Sequence, residues 1–325
     1  MEKRVTRIKE NLSYVFDAYR KPVLTVKEGE RFIVETEDNL SGMLKSEKDL
    51  PLDENFMPYA AYNPPKHNPI TGPIYIEGAD KGDLLQVNIE KIIPANKGLS
   101  CIFPNIGPFA DSRSWPDIAG VAFTKEIKHV PGPSGTTEDG RAIYNEKISW
   151  ELSPLIGTIG VAPEFEVQSS SLSQEPAFGN WDCRDIKAGN ILYLNIYNKG
   201  GLLYLGDVHA SQGDAELSGM ADEVKSEVTL SCSVIKNKKI PYARIEKKDS
   251  IISLYAAKPL EDAVMQAIIN LMEWMVNEYD IKPRDAYILI TIIPEFKINI
   301  YQMVKWMRLQ YTVGAEFPKK YLVKK

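Results

Sequence analysis

The chain has 325 residues, enough for one large domain or two ordinary ones around a substantial core. Its 44% apolar and 26% charged content belongs to a folded globular protein and excludes a disordered chain. A net charge of −5 excludes a broad basic surface, and with it a phosphate-driven nucleic-acid partner; the short lysine-rich end "PKKYLVKK" does not alter that.

In chain order, the N-terminal "MEKRVTRIKENLSYVF" lacks the apolar core of a secretion signal, and no later run reaches the length of a membrane span. The expectation is a cytoplasmic protein with no membrane partner. Cys101, Cys183 and Cys232 are odd in number and form no C-x-x-C pair, which opposes a disulfide framework or a zinc ribbon and fits a reducing compartment.

The segments "RFIVETED", "GPIYIEGA", "DLLQVNIEKII", "GVAFTKEIKHV", "NILYLNIYN", "GLLYLGDVHA", "EVKSEVTLSCSVI" and "SIISLYAA" have strand length and β-branched or aromatic enrichment. Turn chemistry such as "ADKGD" and "NKGG" separates them. "KGDLLQVNI" recurs as "AGNILYLNI", each copy preceded by a Gly-containing apolar segment, which suggests a duplicated strand–turn–strand unit. Past residue 256 the pattern changes. "KPLEDAVMQAIINLMEWMVNEY" spaces Leu260, Val264, Ala267, Ile268, Leu271, Met272 and Met275 as a helix does, with Glu261 and Asp262 in its first turn. "RDAYILITII" is ambiguous between strand and helix, and "NIYQMVKWM" reads as a short helix. The expected fold is mainly β: a layered, sandwich- or jelly-roll-like body over residues 1–255 carrying the site. A smaller helical, α+β portion over 256–325 packs on it, the whole forming one continuous globular unit.

No G-x-G-x-x-G opens a helix, and there is no P-loop or G-x-S-x-G elbow, so nucleotide-phosphate cradles and an α/β-hydrolase serine lack support. Chemistry concentrates instead in "GDVHASQGDAELSG", which collects Asp207, His209, Asp214 and Glu216. In extended backbone residues i and i+2 share a face, so each pair would direct two polar groups into one pocket. "FGNWDCRDI" adds Asp182. One imidazole and two carboxylates suit a divalent ion with positions left for water; Glu216 would take that water's proton, and Asp214 would do the same or complete the shell.

Plainer readings stand beside these. A histidine beside an aspartate is often only a hydrogen-bonded pair, and Gly-Asp a turn. Cys183 reads as a buried thiol rather than a nucleophile. Glu223 reads as the exposed face of a strand ahead of an acid that supports the site, and Trp115, Trp150, Trp181 and Phe178 as core unless they wall a pocket. The same carboxylates also fit a non-catalytic, calcium-stapled β-sandwich binding module, with His209 as the feature that speaks against it.

Taken together, "GPIYIEGADKGDLLQVNI", "IGTIGVAPE", "GNWDCRDIKAGNILYLNI" and "LGDVHASQGDAELSGMADEV" resemble, in this order, the acetamidase/formamidase family over about residues 60–235. "PRDAYILITII" resembles a C-terminal family segment more faintly. The resemblance implies hydrolysis of a small carboxamide such as formamide, acetamide or a related lactam to a carboxylate and ammonia. It further implies a mainly β, soluble cytoplasmic enzyme, at least a homodimer, holding a divalent metal ion, zinc before calcium. Carried over by position, the ligands would be Asp182, Asp207 and His209, the acid/base Glu216, and the substrate neighbours Asn180 and Trp181. The sequence departs from the family pattern at Phe178, Trp181, Asn195 and Ala215. Trp181 is much bulkier than the family's Met, so substrate identity is the open point, and a member that has lost activity is the remaining alternative.

Overall fold

The computed structural model describes residues 2–51, 66–104, 106–109, 112–118 and 120–324. Residues 60–65, at the start of the family-like stretch, lie outside the described residues.

The strand Leu84–Pro94 shows why this sequence forms sheets. Leu85, Val87 and Ile89 are buried while Gln86, Asn88 and Glu90 are only partly covered, the period-two pattern of a strand whose one face meets a core. It pairs antiparallel with Ser226–Ile235 on one side and Ile191–Asn195 on the other, inside a nine-stranded sheet. A seven-stranded sheet faces it, in which Leu155–Val161 and Ile70–Ile76 flank Leu203–His209 antiparallel. Val34, Leu85, Val87 and Leu194 of the first sheet meet Ile74, Ile159, Val161 and Leu205 of the second in the main core. This is the expected sandwich. A four-stranded sheet, containing Phe123–Val130, stands beside it.

Both copies of the sequence echo step from the seven-stranded sheet to the nine-stranded one, Ile70–Ile76 into Leu84–Pro94 and Leu155–Val161 into Ile191–Asn195. The second strands of the two copies pair with each other, Asn195 opposite Leu84 and Ile191 opposite Asn88.

The helix Leu260–Glu278 lies on the outer face of the nine-stranded sheet, burying Ala263, Ala267, Leu271 and Met275 against Ile251, Val313 and Phe317. The ambiguous "RDAYILITII" is helical over Pro283–Ile292, with Pro283 at its first turn and Asp285 there to complement the dipole. "NIYQMVKWM", expected as a short helix, is instead the end of the strand Lys297–Gln302 followed by irregular chain. Its pairing with Tyr311–Pro318 satisfies the backbone groups and overrides local propensity. That strand delivers Gln302 to the site described next.

Candidate metal centre and its pocket

The C-terminal end of Leu203–His209 presents Asp207 and His209, both 1% exposed. Asp182 follows the short strand Phe178–Asn180, and Glu216 closes the 3₁₀ turn Asp214–Glu216. Asp182 (φ 45°), Asp207 (φ 54°) and Glu216 (φ 45°) all occupy the left-handed region, which costs a non-glycine residue about 1–3 kcal/mol and concentrates at functional sites. Gly157, on the neighbouring strand, makes room for them: a Cβ there would lie 2.6 Å from Asp182 Oδ1 and 2.9 Å from Asp207 Oδ2.

The hydrogen bonds fix the histidine tautomer. Gln212 Nε2 donates to the carbonyls of Asp182 (2.7 Å) and Tyr301 (2.9 Å), so its Oε1 must accept, and the group donating to it is His209 Nδ1 at 2.9 Å. His209 Nε2 therefore faces carboxylates: Glu223 Oε2 at 3.4 Å, Asp207 Oδ1 at 3.5 Å and Asp182 Oδ1 at 4.0 Å. Neither His209 Nε2 nor Glu223 Oε2 has a hydrogen-bond partner among the described residues.

Asp207 is held by donors. Its Oδ1 accepts from Asn39 Nδ2 (2.9 Å) and its Oδ2 from Asn68 Nδ2 (2.6 Å) and Thr158 Oγ1 (3.0 Å). The Asn180 amide satisfies its neighbours best with its nitrogen inward, 2.8 Å from Asp207 Oδ2 and 3.1 Å from Asp182 Oδ1. Asp182 Oδ2 accepts from Gln302 Nε2.

Burial pushes the carboxyl groups of Asp182, Glu216 and Glu223 upward, and their mutual repulsion adds to it; Glu216 reaches about 7. Burial acts on Asp207 in the same direction, but the His209 charge and the hydrogen bonds outweigh it and hold Asp207 low. His209 is driven well up, against burial, by Glu223 and Asp207. Two like charges with atoms up to 4.8 Å apart repel by about 3–4 kcal/mol at an effective dielectric of about 20, so this cluster needs a cation or shared protons.

The residues fit a divalent cation. One atom each from Asp182, Asp207 and His209, and likewise from His209, Glu216 and Glu223, lie within 4.8 Å of one another. Ligands about 2.0–2.2 Å from a tetrahedral ion stand roughly 3.3–3.6 Å apart, close to the separations around His209 Nε2. The buried His209 Nε2, without a hydrogen-bond partner among the described residues, is the atom an ion would take in place of a proton.

A cavity of about 40 Å³ adjoins the cluster. Asn39, Asn68, Asn180, Asp182, Asp207, Glu216 and Gln302 form its polar side, and Phe103, Ile106, Met220, Val304 and Leu309 its apolar side. One water needs roughly 10–15 Å³ by this measure, so the space takes about three or four heavy atoms. His67 also lines it, and burial lowers its pKa to about 4.

Asp182, Asp207, His209, Glu216 and Asn180 thus converge. Asp214 does not: its side chain is 71% exposed and pairs with Arg184, because a 3₁₀ turn, not extended backbone, separates it from Glu216 and turns the two opposite ways. Trp181 is fully buried in the main core, its Nε1 donating to Tyr242 Oη at 3.3 Å, and does not line the cavity. Of the other aromatic candidates, Phe178 packs on Phe16, Trp150 donates to Ser211, and Trp115 is exposed. Glu223, expected on an exposed face, is 3% exposed and inside the cluster, because an isolated bridge ties its backbone to His209. Cys183 is buried and burial pushes its thiol up. Sequence reasoning missed Asn39, Asn68, Thr158, Gln212 and Gln302. All are neutral and distant in sequence from the acidic stretch, except Gln212, which lies inside "HASQGD".

A model of the acetamidase/formamidase family matches residues 18–178 and 171–306. The chain is similar to a putative formamidase of Schizosaccharomyces pombe, 25% identical over 259 residues that cover 66% of this chain and 61% of that protein. It is also similar to an acetamidase of Mycolicibacterium smegmatis, 27% identical over 245 residues, covering 60% of this chain and 58% of that one. The match thus spans about three fifths of the length of these curated relatives. The solved structure of an acetamidase from Yersinia enterocolitica is 32% identical and superposes with a TM-score of 0.85, over 99% of this chain and 93% of that chain.

Proposed function

The chain belongs to the acetamidase/formamidase family, and from that premise we propose that it hydrolyses the C–N bond of a small carboxamide to a carboxylate and ammonia, using a divalent ion held by Asp182, Asp207 and His209. The observation that carries this reading is the buried His209 Nε2, without a hydrogen-bond partner among the described residues and ringed by carboxylates. When bound, the ion supplies a Lewis acid that polarises the amide carbonyl and makes water more acidic. Zinc suits the mixed nitrogen and oxygen donors better than calcium does.

The chain's own residues do the rest. Gln212 holds the His209 ring in one tautomer, and Asn39, Asn68 and Thr158 hold Asp207 ionised. Glu216, with a pKa near 7 raised by burial, suits a group that accepts a proton from water and later returns it to the departing nitrogen. As the C–O bond forms and the C–N bond breaks, Glu216 carries the proton from one to the other, and the nitrogen leaves as ammonia. The cavity matches formamide or acetamide, three or four heavy atoms, with the acyl group against Val304, Leu309 and Phe103. Because residues after 300 complete this pocket, we treat 1–255 and 256–325 as one functional unit. Cytoplasmic location and homodimeric assembly belong to the proposal on the strength of the family resemblance. Among the described residues no helix is long and apolar enough to cross a membrane.

The test is ammonia release from formamide, acetamide, propionamide and a γ-lactam, with and without chelator. The reading expects release from the smallest amides, lost on chelation and restored by zinc. No release from any of them by metal-replete protein would refute it.

A further inference from the structure

Gln302, 1% exposed, faces Thr312 across the sheet at the end of its strand. Its Nε2 donates to Asp182 Oδ2. An amide has direction, so Oε1 of the same group must point away from Asp182, and there it accepts from Gln174 Nε2 at 2.7 Å. Gln174 is fixed in turn. Its Oε1 accepts from the backbone N–H of Gln310 at 2.6 Å, a donor whose direction the chain cannot reverse. Its Nε2 also meets Thr312 Oγ1 at 2.9 Å and the Gln310 carbonyl at 3.3 Å. Polarity therefore runs one way, from the Gln310 backbone through Gln174 and Gln302 to Asp182.

We propose that Gln174 is a positioning residue for the metal centre: it orients the Gln302 amide so that an N–H, not a carbonyl, meets Asp182 Oδ2, leaving Oδ1 turned toward His209 for the ion. This rests on reading the cluster as a metal centre. Groups that orient metal ligands typically change affinity by about 10–100-fold when removed. The Gln174 side chain touches neither the cluster nor the cavity and reaches Asp182 through Gln302, while its backbone pairs with Gly179 and accepts from Tyr242 Oη, contacts that both side-chain substitutions leave in place.

The experiment compares Gln174→Glu with Gln174→Met. Glutamate is nearly isosteric but accepts only; one oxygen keeps the Gln310 N–H, and the other confronts Gln302 Oε1. With that carboxyl ionised, Gln302 must either reverse, turning its carbonyl on Asp182, or hold two acceptors together, so the effect should deepen as pH rises and the new carboxyl gives up its proton. Methionine removes the contact but imposes no direction. Zinc affinity of metal-stripped protein, measured by competition with a chromophoric chelator alongside melting temperature, should fall about 10–100-fold in Gln174→Glu and within about threefold in Gln174→Met. In a Gln302→Met background Gln174→Glu should cost little more, since no amide is left to reverse. Should Gln174→Glu fail to fold, Gln302→Glu, which sets an acceptor directly against Asp182, should lose zinc by the same order. Wild-type affinity in either glutamate variant, or equal losses in Gln174→Glu and Gln174→Met that track stability, would overturn the proposal. A wild-type chain that binds no zinc would instead overturn the metal-centre reading beneath it.

Discussion

Replacing Gly157 by alanine sets one methyl group at the most crowded point of the site. The new Cβ would stand 2.6 Å from Asp182 Oδ1, 2.7 Å from the Asp207 carbonyl and 2.9 Å from Asp207 Oδ2, against an ordinary contact of at least 3.4 Å. Two of those atoms belong to carboxylates and the third to backbone in a central strand, so relief moves the Asp182 side chain by about 0.8 Å and also shifts the strand that carries Asp207 by about 0.7 Å. Asp182 cannot move freely, because Gln302 holds its other oxygen. Overpacking of this kind costs about 1–3 kcal/mol, and a misplacement approaching 1 Å at a catalytic constellation costs about 100-fold in rate. Ammonia release from acetamide should therefore fall about 100-fold in kcat/KM, while the melting temperature drops only a few degrees. An alanine variant with wild-type kcat/KM and wild-type metal content would refute the claim that this glycine exists to let the two carboxylates meet.

Other substitutions separate roles within the site. Glu216→Gln should retain metal and lose about 100- to 10,000-fold in kcat, the range for removing a general acid/base; wild-type turnover would rule Glu216 out. Asp214→Asn should leave kcat/KM within about twofold and stability within about 1 kcal/mol, because its ion pair with Arg184 is exposed. A large loss of turnover there would return Asp214 to the catalytic set. Glu216 also predicts a pH dependence for the metal-free protein. Its pKa rises on folding from 4.5 to about 7, so the folded state binds that proton more tightly. The stabilisation it gives is complete below about 4.5 and is lost as pH rises through about 7, so melting temperature should decline across that window. Glu216→Gln should flatten the decline, and an unchanged slope in the variant would contradict the assignment.

The strands were legible because half-buried sheets impose a period of two that Leu84–Pro94 carries openly. The helix at Leu260–Glu278 was legible for the equivalent reason. "NIYQMVKWM" misled, because its apolar spacing also fits a helix and the antiparallel pairing with the next strand, Tyr311–Pro318, decides the matter. Asp207 and His209 could be grouped from their spacing, since both sit at the end of one strand. The same reasoning failed for Asp214 and Glu216, where a turn with left-handed Ala215 and Glu216 replaces extended backbone. Glu223 looked like surface because its burial comes from backbone bridges to Leu99, distant in sequence, and to His209, on the other side of the turn at Asp214–Glu216. The neutral donors that hold the carboxylates, Asn39, Asn68, Thr158 and Gln302, leave no charge pattern, and only the fold brings them together.

The central claim is that buried side chains of residues 182, 207 and 209 share one divalent ion. Elemental analysis of the purified protein, run beside the same analysis of His209→Ala, tests it most directly. The account predicts a stoichiometric transition metal, zinc foremost, in the wild-type chain and its loss from the variant. Equal metal content in the two proteins, or full amide hydrolysis by wild-type protein stripped of metal, would contradict it.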